Sequence, residues 1–295
     1  MAEQSLTFRL LAILFPIFAI VAAGFFYGRK HRPEMAVANR LNMDVFVPAL
    51  VFAAMAGKSF DLAAYASLAL GGFLVLALCG LLAWPFARLS GVPAKTLVPP
   101  MIFNNSGNIG LPLAVLAWGE EALAAAVILF MVENTLHFSL GAKLLNPQTR
   151  ILMLWRIPVV FAALAGLAVA ILKIPVWAPL VIAIKMLGDV SVPLLLFSLG
   201  VRMTDVSFGE WKLSLGSAIL RPLAGMAVAY GIALLLGLHG RDAAMLLVFG
   251  ALPPAVLNFL FAERYQQEPQ RVASIVLIGN LAALLFLPLA LILVL

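Results

Sequence analysis

Ten apolar runs of membrane-spanning length divide this chain, and that pattern restricts the folds that it can adopt. A helix needs about 20 mostly apolar residues to cross the hydrocarbon core of a bilayer. The runs cover approximately residues 8–28, 36–57, 66–89, 95–117, 121–145, 155–173, 176–201, 213–237, 242–263 and 270–294. With 64% hydrophobic and 11% charged residues, the composition is far from that of a soluble domain. We therefore expect an all-α polytopic membrane protein.

Charge and cysteine content argue against several other classes. The single cysteine, Cys79, lies in an apolar run, so we expect no disulfide framework and no cysteine-based metal site. The net charge of +6 would suit nucleic-acid binding in a soluble protein. Here the basic residues flank apolar runs, which is the distribution that the positive-inside rule describes. We expect a lipid bilayer around the chain, and no nucleic-acid partner, cofactor, metal or cleavable signal sequence.

The distribution of Lys and Arg also predicts the orientation of the chain. Thirteen of these residues follow the odd-numbered runs, near positions 29–40, 88–95, 143–156, 202–212 and 264–271. Five lie on the other side, and Arg221 falls within the eighth run. We therefore predict a multi-pass protein of the plasma (inner) membrane, with the basic connections in the cytoplasm and both termini outside.

One polar stretch interrupts the fourth run. Residues 99–112 read PPMIFNNSGNIGLP, with three Asn, one Ser, two Gly and three Pro. Pro inside a helix removes a backbone hydrogen bond, and Gly weakens the helix. Lipid offers no replacement partners, so broken backbone at membrane depth must be buried in protein or line a wet cavity. The stretch is therefore a candidate binding site.

A second fragment, ALPPAVLN at residues 251–258, partly repeats this stretch at an offset of 154. Three other pairs of runs match at similar offsets, through Pro16 and Pro158, Asp44 and Asp189, and Asn134 and Asn280. Because each repeat would hold five spans, an odd number, the two halves must be inverted relative to each other. We expect two five-helix repeats, residues 1–145 and 151–295. Paired interrupted helices in inverted repeats are typical of secondary transporters.

Four segments carry a resemblance to a known family. They are Asn105-Ser-Gly-Asn-Ile-Gly110-Leu-Pro112-Leu followed by Trp118-Gly-Glu120, Leu252-Pro253 with Phe259-Leu-Phe261-Ala262 and Tyr265, Phe197-Ser-Leu-Gly200, and Asn39-Arg40 with Val47-Pro48. Together they resemble the auxin efflux carrier (AEC) family, which includes the plant PIN-formed auxin exporters and many bacterial carriers. The likeness covers nearly the whole chain.

The resemblance implies a fold and a mechanism. The fold would be ten transmembrane helices as a five-plus-five inverted repeat, like the bile-acid sodium symporters, with spans four and nine as two crossed broken helices. Spans 1, 2, 6 and 7 would form a scaffold domain, and spans 3–5 and 8–10 a transport domain that moves like an elevator. The partners would be a small organic anion such as malate, malonate or an auxin-like acid, and a second copy in a homodimer.

Two departures favour a bacterial-type organic anion carrier over a plant auxin exporter. The connection between runs five and six is short, whereas plant exporters carry a long cytoplasmic loop there. The third run has no charged residue in its middle, where plant exporters place an Asp–Lys pair.

Candidate substrate residues lie in the two interrupted runs. Half-helix N-termini supply free N–H groups for an anion, and Asn side chains add donors. We predict substrate contacts from Asn105 and Asn258, with Asn104, Ser106 and Asn108 as neighbours, and helix breaks at Gly110, Pro112, Pro253 and Pro254. The alternative is that these Asn residues only satisfy backbone groups freed by the breaks.

Ionisable residues within the spans are further candidates, because a charge in the membrane is costly. Glu133 and His137 lie four residues apart on one helix face, and Asn134 is next to Glu133. Either Glu133 carries a coupling proton, or a neutral hydrogen bond between Glu133 and His137 fixes the packing of the helix. Coupling by proton or by sodium is left open. Asn280 is the repeat partner of Asn134. Arg221 either contacts an anion or snorkels to the cytoplasmic interface. The roles of Asp44 and Asp189, in the scaffold, are open.

Three function classes are compatible with these features. The favoured one is a secondary carrier, and the alternatives are a channel or sensor on the same fold and an intramembrane enzyme. Gly188-Asp189 matches the end of the Gly-x-Gly-Asp pattern of intramembrane aspartyl proteases, but the preceding residues, Met186 and Leu187, do not complete it. The Gly-x-x-x-x-Gly-Lys-Ser/Thr loop for nucleotides is not present. We therefore expect a protein that is not an enzyme.

Overall fold

A computed structural model describes residues 6–56, 62–149, 158–204 and 211–295. Within these ranges the chain is helical, and the strand-like pairing consists of one isolated bridge. The helices are, in chain order, α1 (Leu6–His31), α2 (Ala36–Met55), α3 (Leu62–Leu89), α4 (Ala94–Ile102), α5 (Ser106–Trp118), α6 (Glu120–Leu145), α7 (Pro158–Ile171), α8 (Ala178–Arg202), α9 (Trp211–Leu236), α10 (Gly240–Ala251), α11 (Leu257–Arg264) and α12 (Pro269–Val294).

Seven of the described helices are long and apolar enough to cross a membrane, namely α1, α2, α3, α6, α8, α9 and α12. This confirms the prediction of an all-α polytopic membrane protein. The fourth and ninth apolar runs are each divided into two shorter helices, and the sixth run is described only from Pro158 onward. Lys58, Arg150 and Arg156, which contribute to the orientation prediction, lie outside the described residues.

The two divided runs meet at their interruptions. The first interruption lies between the end of α4 at Ile102 and the start of α5 at Ser106, and the second between α10 and α11. Asn104 and Pro254 form an antiparallel bridge between them. We call residues 103–105 and 252–256 together the crossing.

The helices pack as two groups. In the first group, α1 packs along α8, and α2 packs on both α7 and α8. In the second group, α9 packs on α3, α10 and α12, while α3 packs on α4 and α6. Contacts of α5 and α6 with α1, α2 and α8 join the groups. The α1–α8 packing is very close: a Cβ atom on Gly24 or Gly200 would meet a backbone carbonyl of the other helix.

The large exposed side chains are mostly apolar, as expected for a protein surrounded by lipid. Large apolar side chains of the first group point outward, among them Phe15, Phe161, Met186 and Trp177, which are 67–73% exposed. Eight of the buried polar side chains lie in the second group around the crossing, and they are Asn104, Asn105, Ser106, Glu133, His137, Arg221, Asn258 and Asn280. The polar centre of the molecule is therefore the crossing.

Candidate functional site

At the crossing, the backbones of the two interrupted helices bond to each other. The Asn105 N–H donates to the Pro253 carbonyl over 2.7 Å, and the Ala255 N–H donates to the Phe103 carbonyl over 2.9 Å. Pro253 and Pro254 both lie in the second interruption and bring no N–H of their own. The two bonds provide partners for backbone groups that the interruptions leave without helical ones, as an apolar environment requires.

Asn104 and Asn258, which match in the repeat, play equivalent parts at the crossing. The Asn104 Nδ2 donates to the Phe249 carbonyl over 2.8 Å, and the Asn258 Nδ2 donates to the Phe103 carbonyl over 3.0 Å. Each side chain thus holds the opposite interrupted helix. Both amides are buried, and their Oδ1 atoms have no hydrogen-bond partner among the described residues. Their N–H groups therefore hold the backbone of the crossing together.

Asn105 and Asn280 connect the crossing to α12. The Asn105 Nδ2 donates to the Asn280 Oδ1 over 2.9 Å. The Asn280 Nδ2 in turn donates to the Pro254 carbonyl over 3.0 Å and to the Val276 carbonyl over 2.7 Å. Asn280 therefore contacts both interruptions and fixes their positions relative to α12.

The start of α5 differs from the prediction. The helix resumes at Ser106, and its first part, Ser106–Gly110, is a π-helical turn. Gly110 and Pro112 lie inside α5, where Pro112 is the second residue of the α-helical part, Leu111–Trp118, and its missing N–H costs little. The prediction that Gly110 and Pro112 break the helix is therefore wrong. The break comes earlier, at residues 103–105, because Asn104 and Asn105 find cross-helix partners there.

Glu133 on α6 is the acidic centre of a buried network. Its Oε1 lies 2.9 Å from the His137 Nδ1, one turn along the helix. Its Oε2 accepts hydrogen bonds from the Ser106 hydroxyl and the Asn134 Nδ2, both over 3.2 Å. Glu133 is 3% exposed and His137 1%. The carboxylate therefore ties α6 to the N-terminal end of α5.

Aromatic rings hold His137 in place. The imidazole stacks on the Phe103 ring at a centroid distance of 4.1 Å, and the Phe261 ring meets it edge-on at 5.0 Å. Its Nδ1 faces Glu133, and its buried Nε2 has no hydrogen-bond partner among the described residues. One ring nitrogen is thus committed to the network, and the other is a polar atom with no internal role.

Arg221 is buried on α9 rather than placed at the membrane interface. It is 2% exposed, and its Nη1 donates to the Gly250 carbonyl over 2.8 Å and to the Leu252 carbonyl. The snorkelling alternative is therefore wrong. The close approach of α9 and α10 requires Gly225 and Gly250, since a Cβ on either would meet the other's carbonyl oxygen. The guanidinium satisfies the last carbonyls of α10, where a cation complements the helix dipole.

Asp44 and Asp189 lie away from the crossing, on α2 and α8. Asp44 is exposed within a π-helical turn, Asn42–Phe46. Asp189 is 3.7 Å from Lys185, which also lies 3.5 Å from Glu120, and all three side chains are more than half exposed. Exposed pairs of this kind contribute little to stability.

A cavity of about 150 Å³, the crossing cavity, lies beside the crossing and between the two helix groups. Its polar lining consists of Asn39, Asn104, Asn105, Asn108, Glu133, Asn134, His137, Ser198 and Arg202. A second cavity of about 380 Å³ adjoins it and reaches the α1–α2 connection at residues 33–35. Asn280 lines the second cavity, whereas Ser106, Asn258 and Arg221 line neither of the two.

Three polar residues of the lining, Asn39, Ser198 and Arg202, were not predicted from the sequence. Asn39 and Ser198 lie in segments that carry the family resemblance, and this was the available signal. Arg202 ends α8 and counts in the sequence as a basic residue of a connection. Its part in the cavity depends on the packing of the first group against the second, which no local pattern reveals.

Comparison with known proteins finds a family model that matches part of the chain, and several relatives. A family model described as "Membrane transport protein" matches residues 148–291, which include α7 to α11 and most of α12. "Auxin efflux carrier component 6" of Arabidopsis thaliana is 26% identical over 179 residues, which are 58% of this chain and 29% of that protein. The match thus spans less than a third of the plant relative's length.

Two microbial relatives match over larger shares. "Putative malonate transporter" of Rhizobium meliloti is 26% identical over 196 residues, 61% of this chain and 60% of that protein. An uncharacterized transporter of Methanocaldococcus jannaschii is 20% identical over 294 residues, 92% of this chain and 95% of its own length.

The interrupted helices, the multi-pass architecture and the matched model place the chain in the class of membrane transport proteins. Within that class, the chain is similar to the auxin efflux carriers and to the microbial transporters described above.

Proposed function

We propose that this protein is a secondary transporter of small organic anions, namely carboxylates such as malate or malonate, or auxin-like acids. One observation carries the proposal: the N-terminal turns of both α5 and α11 line the crossing cavity, through Gly107, Asn108 and Leu257. The first N–H groups of a helix have no partner within it, and the helix dipole adds positive potential. Two helix N-termini at one cavity therefore favour an anion.

The side chains that we assign to the substrate are Asn105 and Asn258, with Asn104, Ser106 and Asn108 beside them. Asn104, Asn105 and Asn108 line the cavity, which supports direct contact. Asn258 and Ser106 support the cavity wall through their bonds to Phe103 and Glu133. The name of the Rhizobium relative favours a dicarboxylate such as malonate, and the names of the plant relatives favour an auxin-like acid.

Glu133 and His137 are the groups that we assign to coupling. Both line the cavity, they lie within hydrogen-bonding distance of each other, and Glu133 also contacts the N-terminal end of α5. Uptake of a proton by Glu133 would remove a negative charge beside the site of an anion, so proton and anion would bind together. Sodium coupling is the competing possibility, which a ligand screen with and without sodium distinguishes.

For the transport cycle we propose an elevator mechanism on a ten-span, five-plus-five inverted repeat like that of the bile-acid sodium symporters. The scaffold domain would be α1, α2, α7 and α8, and the transport domain α3–α6 and α9–α12. The division follows the packing, since each group has its densest contacts within itself and the cavity lies at their boundary. The second cavity would then be the route to one side of the membrane.

The orientation is also part of the proposal. The second cavity reaches the α1–α2 connection, which carries Arg29, Lys30 and Arg32 beside it and is therefore assigned to the cytoplasm. Both termini would be outside in a plasma (inner) membrane. The family resemblance also implies a homodimer. Its interface would bury part of the exposed apolar surface of the first group.

A thermal-shift screen of organic acids on the purified protein tests the function. Ligand that binds the folded state raises its apparent stability with occupancy. We expect a carboxylate to raise the melting temperature, with dependence on pH or on sodium that identifies the coupling ion. Asn105→Ala and Asn258→Ala remove the shift, while Asn146→Ala, after the end of α6 and outside both cavities, retains it.

Counterflow in proteoliposomes then separates a carrier from a channel. A carrier exchanges labelled for unlabelled anion with saturation, whereas a channel conducts without counterflow. If no organic acid shifts the melting temperature and none shows counterflow, the proposed function is wrong.

A further inference from the structure

A recess of about 780 Å³ lies among α2, α7 and α8 and shares no lining residue with the crossing cavity or the second cavity. It is lined from residues 52–56 of α2, 169–176 at the end of α7 and 181–184 of α8, and we call it the α7–α8 recess. Ten of its eleven described lining residues are apolar, and the eleventh is Lys173. The recess therefore combines apolar walls with one cation.

The recess extends from the level of the lipid headgroups toward the hydrocarbon. Trp177 directly precedes α8 and is 73% exposed, and exposed Trp side chains favour the membrane–water interface. Lys173 lies four residues before Trp177, in the same connection. Ile184 of the lining lies seven residues after Trp177, which is about 10 Å along a helix. The cation is thus at the depth of headgroups and the walls at the depth of acyl chains.

The backbone at Lys173 adopts the left-handed conformation, with a φ of 51°. The Lys173 N–H donates to the Ala170 carbonyl over 3.3 Å, and the Ile174 N–H donates to the Val169 carbonyl over 3.0 Å. This pair of bonds is the Schellman ending of a helix, in which glycine usually occupies the left-handed position. A lysine pays a steric cost there, because its Cβ disfavours that conformation.

The other described helices that end with this pair of bonds show what is unusual about Lys173. The endings of α3 and α9 have glycine at the left-handed position, Gly91 and Gly237. The ending of α11 has Gln266, whose Nε2 donates to the Glu263 carbonyl over 2.8 Å. The Lys173 side chain has no hydrogen bond or ion pair with another residue. The strained position therefore carries a cation without a partner in the chain.

The predicted orientation does not account for Lys173 either. Basic residues beside spans favour the cytoplasmic side. The α7–α8 connection lies on the opposite side, which has five Lys and Arg residues against thirteen. A role outside topology is therefore needed to explain a lysine at this position.

We propose that the α7–α8 recess binds an anionic phospholipid, with the phosphate at Lys173 and an acyl chain against the apolar walls. The charge of the phosphate complements the only ionisable side chain among the described lining residues, and a basic residue beside spans attracts anionic headgroups. The apolar walls favour a lipid over a free phosphate ion, since they gain from covering by hydrocarbon. The inference is independent of the transported substrate, because the recess is separate from the crossing.

The experiment compares three probes on the purified full chain in detergent. Phosphatidylglycerol is the anionic lipid, phosphatidylcholine with the same acyl chains is the zwitterionic one, and glycerol phosphate has the phosphate without acyl chains. Native mass spectrometry counts the retained lipids, and thermal-shift titration gives apparent affinities. The variants are Lys173→Gly and Lys173→Gln. Lys185→Gln is the control, since Lys185 is on the same side of the membrane but is paired with Glu120 and Asp189 and does not line the recess.

We expect the wild type to bind phosphatidylglycerol about fivefold more tightly than phosphatidylcholine, as one cation near a lipid surface provides. Both Lys173 variants lose that preference and retain about one phosphatidylglycerol fewer, while Lys185→Gln keeps both. Glycerol phosphate gives no shift. In detergent without lipid, Lys173→Gly melts at or above the wild-type temperature, because glycine fits the left-handed position. A loss of lipid binding in this variant is therefore not a loss of fold.

Phosphatidylglycerol binding that is equal in the wild type and both Lys173 variants would overturn the proposal, and a second copy of the chain seated on the recess would give that result. An equal loss in Lys185→Gln would also overturn it, since the attraction would then belong to the whole outer surface. A shift with glycerol phosphate as large as with the lipid would exclude a role for the apolar walls. Each of these outcomes leaves the proposed transport function untouched.

Discussion

The two interrupted helices reach one crossing but are stabilised by opposite charges. In the first, the Ser106 hydroxyl at the start of α5 donates to the Glu133 carboxylate. In the second, the Arg221 guanidinium donates to the Gly250 and Leu252 carbonyls at the end of α10. Acidic groups favour helix N-termini and basic groups favour helix C-termini. The first interruption is thus stabilised at the helix that follows it, and the second at the helix that precedes it.

This difference makes the two helix N-termini at the cavity unequal. The N-terminus of α5 lies next to Glu133, whose negative charge competes with an incoming anion. The N-terminus of α11 follows the apolar residues Ala255 and Val256. On the proposed function, we therefore expect an anion to prefer α11, and the neutral side chain of Glu133→Gln to make α5 more accessible to it.

The largest effect is expected from removal of the cation at the second interruption. Arg221→Met leaves two buried carbonyls without donors, at about 1–3 kcal/mol each. We expect a clear fall in the melting temperature of the purified protein in detergent. Arg264→Met, at an exposed helix end near the Tyr265 ring, is the control and leaves the melting temperature nearly unchanged. Similar falls for both variants would contradict the role given to Arg221.

The paired asparagines test how far the two interruptions are equivalent. Asn104→Ala and Asn258→Ala each remove a hydrogen bond to the opposite interrupted helix, with an expected cost of about 1–3 kcal/mol. Denaturation in mixed micelles measures both. Because Asn258 also donates to the Ala255 carbonyl, its loss is expected to be the larger of the two. If only one variant lost stability, the hydrogen bond of the other asparagine would not contribute to the stability of the crossing.

Glu133→Gln tests the charge at the first interruption. Gln keeps the shape and can still accept from Ser106, so we expect normal expression and a stability within about 1 kcal/mol of the wild type. If uptake into proteoliposomes depends on pH as proposed, this variant is expected to lose that dependence, because the carboxyl group assigned to coupling is gone. His137→Gln, one turn along α6, tests in the same assay whether a pH dependence comes from His137 or from Glu133. An unchanged pH profile in Glu133→Gln would end its assignment as the coupling group.

The smallest effect is expected from Pro112→Ala. Pro112 lies in the first turn of the α-helical part of α5, so the cost is limited to lost apolar contact, about 1 kcal/mol or less. Pro254→Ala changes a residue within the second interruption, packed on Gly279, and is expected to cost more. Thermal unfolding of both variants gives the comparison. If Pro112→Ala lost more stability than Pro254→Ala, Pro112 would be a determinant of the helix break after all.

The class of fold is well predicted from the sequence because the pattern of apolar runs is a local property. Both interruptions lie within the stretches that the sequence marks, residues 99–112 and 251–258, since an uninterrupted membrane helix disfavours clusters of Asn and Pro. The first break is misplaced at Gly110 and Pro112 because Pro is tolerated in the first turns of a helix. The true break depends on distant partners, such as the Phe249 carbonyl that lies 145 residues along the chain from Asn104.

The candidate site is less predictable, since it combines residues from both helix groups. Glu133 and His137 are evident from their spacing on one helix face. Arg221 is recognised in the sequence, but its partners, the Gly250 and Leu252 carbonyls, are backbone atoms that carry no sequence signal. Arg202 is indistinguishable from a topology signal until the two groups are packed together.

The hydrogen bonds of the crossing also impose an order on biogenesis. The Phe103 carbonyl accepts from Asn258, which is 155 residues further along the chain. While the first half is being inserted, the Phe103 carbonyl, the Asn105 N–H and the Asn104 amide therefore lack their native partners, in a solvent that supplies none. A chain truncated before α10 would lack these hydrogen-bond partners. It would keep unsatisfied polar groups inside the bilayer, and we expect the cell to degrade it. Insertion of the last quarter of the chain thus completes the first half as well as the second.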